Sequence, residues 1–424
     1  MCNISMASSS STTSSNGSSN GVSNEVIVHT YKLKSFEGFD ASPNGGVSFK
    51  SGSSQDSLCI REDDGYTVLK YNKQCLNAGN VNSLGLFRSV IYYDNELVSF
   101  SPPKSYNEGS YLSPDELNST DFSVEHFIEG TMMNVFYNKA NSQWEVATRS
   151  IIGGETAFYV NTKTFKQMFE EAAHYCNLSL DDLNPTYVYS FVMHHPENRI
   201  VEKITAPRLF LTNVYRIHKE THEVHEINVM QTHAVNKLFM GTSVVVDVRD
   251  QEFLQTGIKL KHCIMMLKAK YTSYNTPYFV QGVVIKFNGK RLKIRNPNHN
   301  FVSNLKGNQS KLQYQFYVLK KQGKLNLYLS YFPEHKPLFD QYEHQLNNFI
   351  TNVHHAYMNT YILKTPNKCS NLSKEIQRQL NPLHSLYMSF LRYHRLAVTW
   401  EVVSKHIHEL EPAQIMSNVN NVSM

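Results

Sequence analysis

A long acid-free stretch carries the side chains best suited to bind phosphate. From Lys286 to Ser330 there is no Asp or Glu, although the whole chain has 41 Lys and Arg against 36 Asp and Glu. Basic groups attract phosphates with a salt-sensitive free energy, and aromatic faces stack on bases. The window therefore predicts RNA contacts; the alternative is a set of hairpins with a solvated basic face and core aromatics. Its cations are Lys286, Lys290, Arg291, Lys293, Arg295, Lys306, Lys311, Lys320, Lys321 and Lys324. Tyr314, Phe316, Tyr317, Tyr328 and Tyr331 are interleaved among them or follow just beyond.

A second set of segments has an order and spacing that are informative together. The loop His126-Phe-Ile-Glu-Gly130 precedes an apolar, strand-like run, Thr131 to Tyr137. A tryptophan and a Thr-Arg pair follow in Trp144 to Arg149. The later members of the set are Tyr189 to Val201, which contains Pro196-Glu-Asn-Arg-Ile-Val201, then Phe279 to Ile285 and Arg291 to Arg295.

Taken in order, these segments resemble the phage-type ATP-dependent RNA ligases of the covalent nucleotidyltransferase superfamily. Arg88 to Lys104 resembles the hairpin before their nucleophile loop, and Phe127 to Gly130 occupies their K-x-D-G motif. The match covers about residues 84–296. The resemblance implies an α+β fold, with a nucleotidyltransferase-type antiparallel sheet domain followed by a helical domain. It also implies a pocket where a lysine attacks the α-phosphate of ATP, carboxylates hold a divalent metal and paired cations cradle the phosphate.

The positions that would perform this chemistry depart from the family pattern. Phe127 stands where the nucleophilic lysine is expected, and Val192 and Gln281 stand where carboxylates are expected. Neither residue can hold a hard cation as a carboxylate does, so no metal ligand is assigned. The resemblance implies a degenerate RNA-ligase-like protein that binds RNA or nucleotide phosphate without self-adenylylation. Its pocket would comprise Glu129, Gly130, Val192 and Gln281, and its phosphate-binding residues Lys104, Arg149, Arg199, Lys293 and Arg295.

Two other functions stay open at this point. In an active ATP-dependent RNA ligase, Lys104 or another lysine would carry the nucleotide, and ATP and Mg would be needed. A degenerate protein needs no cofactor. Lys104 is followed by Glu108-Gly109, a spacing two residues too long for the motif, so a phosphate or RNA contact is favoured for it. The third function is a structural or protein-interaction scaffold that binds a protein partner through its helical domain.

The elements that position these residues follow from periodicity and turn signals. Leu86 to Tyr92 and Glu96 to Phe100 flank a turn and predict a hairpin, and Thr162 to Cys176 has the spacing of an amphipathic helix. After Pro333, apolar residues recur at helical intervals. The further strands are predicted at 187–193, 200–204, 209–217, 243–248, 278–287 and 291–294. The predicted organisation is a disordered Ser/Asn-rich tail (1–24), a ligase-like domain (25–332), a helical domain (333–416) and a frayed tail (417–424).

Composition argues against several other classes. The six cysteines form no C-x-x-C pair, which favours reduced thiols in a cytoplasmic or nuclear protein. The 19 histidines show no helical H-x-x-x-H with a carboxylate, so we expect no metal site among them. No apolar run approaches the roughly 18 residues that indicate a membrane span, so we expect no membrane association.

Overall fold

The computed structural model describes residues 25–36, 39–41, 47–49, 55–107, 112–156, 163–253, 257–309, 311–364 and 372–422. The predicted tail (1–24) and Glu108-Gly109 lie outside these residues. The α+β prediction is confirmed, because antiparallel sheets are followed by a helical region. No helix among the described residues is both long and apolar enough to cross a membrane.

The described strands are β1 (Ile27–Lys32), β2 (Phe39–Ala41), β3 (Val47–Phe49), β4 (Leu58–Asp63), β5 (Tyr66–Tyr71), β6 (Val90–Tyr93), β7 (Glu96–Phe100), β8 (Tyr106–Asn107), β9 (Ser123–His126), β10 (Thr131–Asn138), β11 (Gln143–Ala147), β12 (Tyr187–His194), β13 (Arg208–His218), β14 (Glu223–Ile227), β15 (Gly282–Phe287) and β16 (Lys290–Arg295). The described α-helices are α1 (Pro114–Asn118), α2 (Phe165–Tyr175), α3 (His233–Leu238), α4 (Leu260–Tyr271), α5 (Pro297–Lys306), α6 (Leu312–Lys321), α7 (Leu325–Tyr331), α8 (Lys336–Tyr357), α9 (Lys374–Leu386), α10 (Trp400–Glu409) and α11 (Pro412–Val422).

The central sheet has six strands in the order β1-β14-β13-β12-β10-β11, all antiparallel. The predicted helix at 162–176 is α2, whose Thr164 and Gln167 form a capping box at its start. Its buried Met168 and Phe169 share a core with β12 and the beginning of β13. This packing covers one face of the central sheet and leaves the other face for the remaining sheets.

Two four-stranded sheets pack on that second face. The sheet β4-β5-β6-β7, which contains the predicted hairpin, shares a core with Phe136, Val188 and Tyr215 of the central sheet. The sheet β8-β16-β15-β9 has its own core on its far side, where Ile285 and Ile294 contact the α4 residues. Its near side faces the central sheet, since Lys286 donates a hydrogen bond to the Thr212 carbonyl. The three sheets therefore enclose a cleft.

The helical region begins earlier and ends later than predicted. Phe316 and Tyr328, on α6 and α7, are buried in the same core as the α8 residues, so these helices belong to it despite preceding residue 333. At the other end, α11 continues to Val422 and buries Val419, so the described part of 417–424 is not a frayed tail. The basic side chains of α6 hid its apolar face, which repeats at helical spacing.

Two predicted strands are absent from the described residues. Val245 donates a backbone hydrogen bond to Leu209 and accepts one from Leu211. The segment 243–248 therefore forms one isolated β-bridge, and it does not form the predicted strand. In 200–204 the backbone N–H groups of Val201 and Glu202 donate to the Glu129 carboxylate. These donors are therefore not available for a β-ladder, which explains why 200–204 is irregular.

Candidate functional site

Strand alternation places three cations of β16 on the cleft side. Leu292 and Ile294 are buried in the core behind the sheet, so Arg291, Lys293 and Arg295 point to the opposite face. Both Arg291 and Lys293 line a cavity of about 90 Å³ in the cleft. Arg295 lies beside Phe127, which lines the same cavity. One strand thus supplies half of a compact positive group.

The other half comes from the segments around the β6–β7 hairpin. Arg88, just before β6, lines the same cavity and donates to the Pro102 carbonyl at 3.4 Å. Arg149 donates from Nε to the Arg88 carbonyl at 3.3 Å. Lys104 lies close enough to Arg295, Arg88 and Arg149 to be repelled by each of them. We define the cationic cluster as Arg88, Lys104, Arg149, Arg291, Lys293 and Arg295, of which Arg88, Arg291 and Lys293 line the cavity and the other three lie beside it.

The members of the cationic cluster are not paired with acidic residues among the described residues, although Glu125, which pairs with Lys286, also lines the cavity. None of its members forms an ion pair or a hydrogen bond with a carboxylate in that part of the chain. Burial, and then the charges of Arg291 and Arg88, lower the pKa of Lys293 well below its ordinary value. Burial and neighbouring cations also lower the pKa of Lys104, and lower the pKa of Arg88 to about 10. The cluster is therefore an arrangement that an anion would stabilise.

Arg291 presents donors that have no protein acceptor. Its Nε and Nη1 atoms are buried, and no hydrogen-bond partner for them is found within the described ranges. A buried donor without an acceptor costs roughly 1–3 kcal/mol, and more when the group is charged. These two nitrogens lie on different edges of the guanidinium, so they offer two separate charged donors to phosphate oxygens rather than one bidentate edge. This geometry fits a phosphate group in the cavity.

The ring of Phe127 covers the ammonium group of Lys293. The ring centroid lies 3.7 Å from Lys293 Nζ and 5.3 Å from the guanidinium carbon of Arg295. The backbone N–H of Phe127 donates to the Gly282 carbonyl at 3.0 Å, which fixes the loop against β15. The position that the sequence resemblance assigns to a nucleophile therefore holds a ring in cation–π contact with the closing cations.

Gly130 and Val192 both line the cavity. Gly130 has φ +141°, and a Cβ there would lie 2.5 Å from the Met193 carbonyl oxygen and 2.8 Å from Val192 Cγ1. Only glycine allows that close approach. Val192 contributes an apolar side chain to the wall, so it supplies no ligand for a metal ion.

Glu129 does not line the cavity, which corrects its prediction as a pocket residue. Its buried carboxylate accepts backbone N–H groups from Val201 and Glu202 at 2.9 and 3.0 Å and lies 2.5 Å from His299 Nε2. Burial raises the pKa of Glu129, but the hydrogen bond to His299 and the backbone bonds outweigh it, so the pKa lies below its ordinary value. Glu129 therefore joins the loop to α5.

Gln281 and Arg199 also lie outside the cavity lining. The Gln281 Oε1 atom is buried, with no partner among the described residues. Arg199 donates to Glu334 at 2.5 Å and to the Val201 and Tyr331 carbonyls, and its guanidinium lies over the Phe332 ring. The donors that would hold a phosphate are therefore directed to the helical region, and Arg199 is not part of the cationic cluster.

The basic window is less continuous than predicted. Lys286, Lys290, Lys320 and Lys321 are paired with Glu125, Glu116, Glu343 and Glu411. The prediction that the aromatic residues of the window stack on bases is also wrong for Phe316, Tyr317 and Tyr328, because these three are buried in the helical core. The prediction of a positive track along the whole window is therefore wrong. Of the window's cations, three of those on β16 belong to the cationic cluster.

A larger cavity of about 350 Å³ continues the cleft and shares Glu125, Thr212, Val248 and Arg291 with the smaller one. Its walls include Glu226, which accepts from Tyr31 at 2.7 Å and from Asn213 at 2.6 Å. The cleft is thus cationic at one end and mixed at the other. The sequence prediction gave Arg88 no site role. It placed Arg291 only in the basic window, although the alternation Arg291, Lys293, Arg295 in a strand could have placed it in the pocket.

The residues present do not fit a carboxylate-held metal ion. In the ranges that the structure covers, no group of three His, Cys, Asp or Glu side chains could hold one. The cationic cluster fits the phosphates of a nucleotide better than it fits a metal, because its members are donors without lone pairs to share. Any phosphate contacts would therefore be made by the protein's own cations.

No family model matches the chain, and no curated protein matches it. Among solved structures the neighbours are ATP-dependent RNA and DNA ligases. An archaeal ATP-dependent RNA ligase has a TM-score of 0.39 and 14% identity, over 68% of this chain and 67% of that one. A Naegleria gruberi RNA ligase variant with AMP and Mn has a TM-score of 0.31 and 16% identity over 44% of this chain, which spans about half (52%) of that one. A protein assigned as an ATP-dependent DNA ligase of Aquifex aeolicus has a TM-score of 0.36 and 14% identity, over 79% of this chain and 85% of that one. Scores this low carry no argument about activity.

Proposed function

We propose that the cleft binds the phosphate of a nucleotide or of RNA without forming a covalent nucleotide adduct. The observation that carries the proposal is the cationic cluster, whose six positive side chains have no acidic partner among the described residues. Arg291 adds two buried donors that lack an acceptor. The role predicted for Lys104, Arg149, Lys293 and Arg295 is part of this proposal, while Arg199 is left out of it.

The energetics of the cluster support an anionic ligand. Burial, and then the charges of Arg291 and Arg88, disfavour the charged form of Lys293 and lower its pKa. A phosphate between Arg291 and Lys293 would reduce the repulsion and satisfy the free guanidinium donors. The adjoining cavity of about 350 Å³ is within the size range of small-molecule sites and gives room for the rest of a nucleotide.

The absence of covalent chemistry is supported by the side chains at three positions. Phe127 has no nucleophilic atom and already contacts Lys293. Val192 is apolar and Gln281 is neutral, so neither provides the charge that would hold a divalent cation. Formation of a phosphoramidate needs a lysine nucleophile and charge neutralisation at the leaving phosphates; this cleft offers the second, but no lysine at the position that the resemblance assigns to the nucleophile.

The runner-up is an active ATP-dependent RNA ligase with Lys104 as nucleophile. One observation favours it: burial and nearby cations lower the pKa of Lys104, which increases its neutral, nucleophilic fraction. Its ammonium donates to the Ser105 carbonyl at 2.6 Å. This function would require ATP and Mg, and adduct formation would be lost in Lys104→Ala.

Isothermal titration with ATP, and with inorganic phosphate, tests the proposal on wild type, Arg291→Gln and the matched control Arg61→Gln. Arg61 is half-exposed and pairs with Asp63, away from the cleft lining. The expected result is phosphate binding that Arg291→Gln weakens by about tenfold or more, since charge-assisted bonds contribute roughly 1.5–3 kcal/mol. Equal affinities in all three proteins, or none at all, would contradict it and favour the scaffold function.

A further inference from the structure

A group of exposed aromatic and basic side chains projects from the helical region. Phe390 and Tyr393 are 51% and 85% exposed, values far above those of the buried aromatics in the helical core. The ring of His394 lies 4.4 Å from that of Phe390 and 5.2 Å from that of Tyr393, so the three rings are adjacent. Arg392 and Arg395 lie between and beside them and are also exposed. We call Phe390, Arg392, Tyr393, His394 and Arg395 the 390–395 patch.

The 390–395 patch is anchored by the helical elements beneath it in the core. Helix α9 continues into a π-helical turn, Tyr387–Leu391, and Leu391 is buried in the helical core. His384 stacks on Tyr361 at 3.9 Å, which ties the end of α9 to the π-helical turn after α8. The exposed rings are therefore carried on an anchored turn, which lowers the entropy cost when a ligand orders them.

The charge around the patch has one sign. From Ile376 to Trp400 the sequence has no Asp or Glu. Neither Arg392 nor Arg395 has an ion pair with a carboxylate in the described part of the chain, and Arg392 Nη1 makes only a weak contact with Met388 Sδ at 3.9 Å. A solvated basic surface alone would not require rings this exposed, because aromatic surface in water is unfavourable.

We infer that the 390–395 patch binds single-stranded RNA, with bases stacked on Phe390 and Tyr393 and phosphates bound by Arg392 and Arg395. Aromatic faces stack on any base, and arginines beside them contact the backbone, which is how single strands are bound without sequence readout. A protein partner would also use Tyr and Arg, but the acid-free stretch from Ile376 to Trp400 favours a polyanion. The inference rests on the proposed function only in that both name RNA, since the patch lies outside the cleft lining.

Fluorescence anisotropy of the full chain with a labelled single-stranded oligouridylate tests this inference. Phe390→Ala/Tyr393→Ala should weaken binding by about tenfold or more, on the basis of base–aromatic stacking energies. Arg392→Gln/Arg395→Gln should reduce the salt slope of binding by about one to two units, because each bound phosphate contributes about 0.7–0.9 unit. The matched control is Tyr175→Ala, since Tyr175 is 57% exposed on α2, on the far face of the central sheet.

The outcomes separate the patch from the cleft. Weakened RNA binding in the Phe390→Ala/Tyr393→Ala protein, with unchanged ATP affinity, supports the patch. A wild type that binds ATP but no oligonucleotide overturns the patch and leaves the cleft proposal intact. RNA binding that Phe390→Ala/Tyr393→Ala weakens, in a protein that binds neither ATP nor phosphate, supports the patch and overturns the cleft proposal. Unchanged RNA affinity together with a changed sedimentation coefficient would identify a protein interface and overturn the inference.

Discussion

Replacing Glu129 with Gln should destabilise the protein while leaving the cavity wall in place. The carboxylate accepts two backbone N–H groups, from Val201 and Glu202, and lies 2.5 Å from His299 Nε2. Charge-assisted bonds contribute about 1.5–3 kcal/mol each and neutral ones about 0.5–1.5, so the two backbone bonds are each weakened by about 1 kcal/mol. The bond to His299 is weakened by a similar amount, so we expect the unfolding free energy to fall by about 3 kcal/mol at pH 7.

The pH dependence of this destabilisation has a defined sign. The pKa of Glu129 in the folded protein lies below its ordinary value, because hydrogen bonds outweigh the burial that raises it. A carboxyl group with a lowered folded pKa stabilises the fold above its unfolded pKa, about 4.3 for Glu. This contribution is lost as the pH falls through the folded pKa. The difference between wild type and Glu129→Gln should therefore be constant near neutrality and shrink below about pH 4.

Urea denaturation followed by circular dichroism measures this effect. Glu170→Gln is the matched control, because Glu170 is exposed on α2 and has no ion pair among the described residues. We expect the control to stay within about 0.5 kcal/mol of wild type, as surface substitutions usually do. A Glu129→Gln protein that is equally stable would refute the assignment of Glu129 as the residue that joins the loop to α5.

The remaining predictions concern the cleft and its neighbours. Lys293→Ala/Arg295→Ala should weaken RNA binding similarly across sequences and lower the salt slope by about one unit for each phosphate that is no longer bound, with Arg295→Ala alone costing more than Lys293→Ala; identical slopes in titrations at several salt concentrations would oppose this. Phe127→Lys should not restore adenylylation, because the carboxylates expected at Val192 and Gln281 are still missing; a labelled adduct on a denaturing gel at the rate of an active ligase would oppose it. Phosphate should bind with proton uptake and lose affinity at higher pH, because an anion raises the lowered pKa of Lys293; calorimetry in two buffers of different ionisation enthalpy measures the uptake, and zero uptake would contradict it. Arg199→Ala should lower the unfolding free energy with little change in phosphate affinity, since its partners are Glu334, Val201 and Tyr331; the opposite pattern would return Arg199 to the site.

Where strand alternation sets the direction of a side chain, the sequence could predict which site residues lie in the pocket. Lys293 and Arg295 are predicted together, and the same two-residue period extends to Arg291, which carries the free donors. Val192 could also be placed, because the register of β12 against β10 follows from two clear strands. In such regions the backbone pattern determines which way a side chain points.

Where a loop or a partner distant in sequence sets the position of a side chain, the sequence could not predict that position. The Glu129 carboxylate is bound by partners at positions 201, 202 and 299, which no local pattern connects to it. Arg199 finds its partners at 331 and 334, across more than 130 positions of the sequence, on elements that no local pattern connects. The helices α6 and α7 were not predicted for a related reason. Their aromatic residues, which pack in the helical core, are equally compatible with base stacking in a basic window.

Labelled ATP retained before and after denaturation tests the central claim most directly. The protein is incubated with α-labelled ATP and a divalent metal, and bound label is measured on the native protein and again on a denaturing gel. We predict label on the native protein, reduced in Arg291→Gln, and none after denaturation, because the cationic cluster holds phosphate while Phe127 forms no bond to it. A stable label on the denatured wild type would contradict the account, and its disappearance in Lys104→Ala would identify an active ligase in its place.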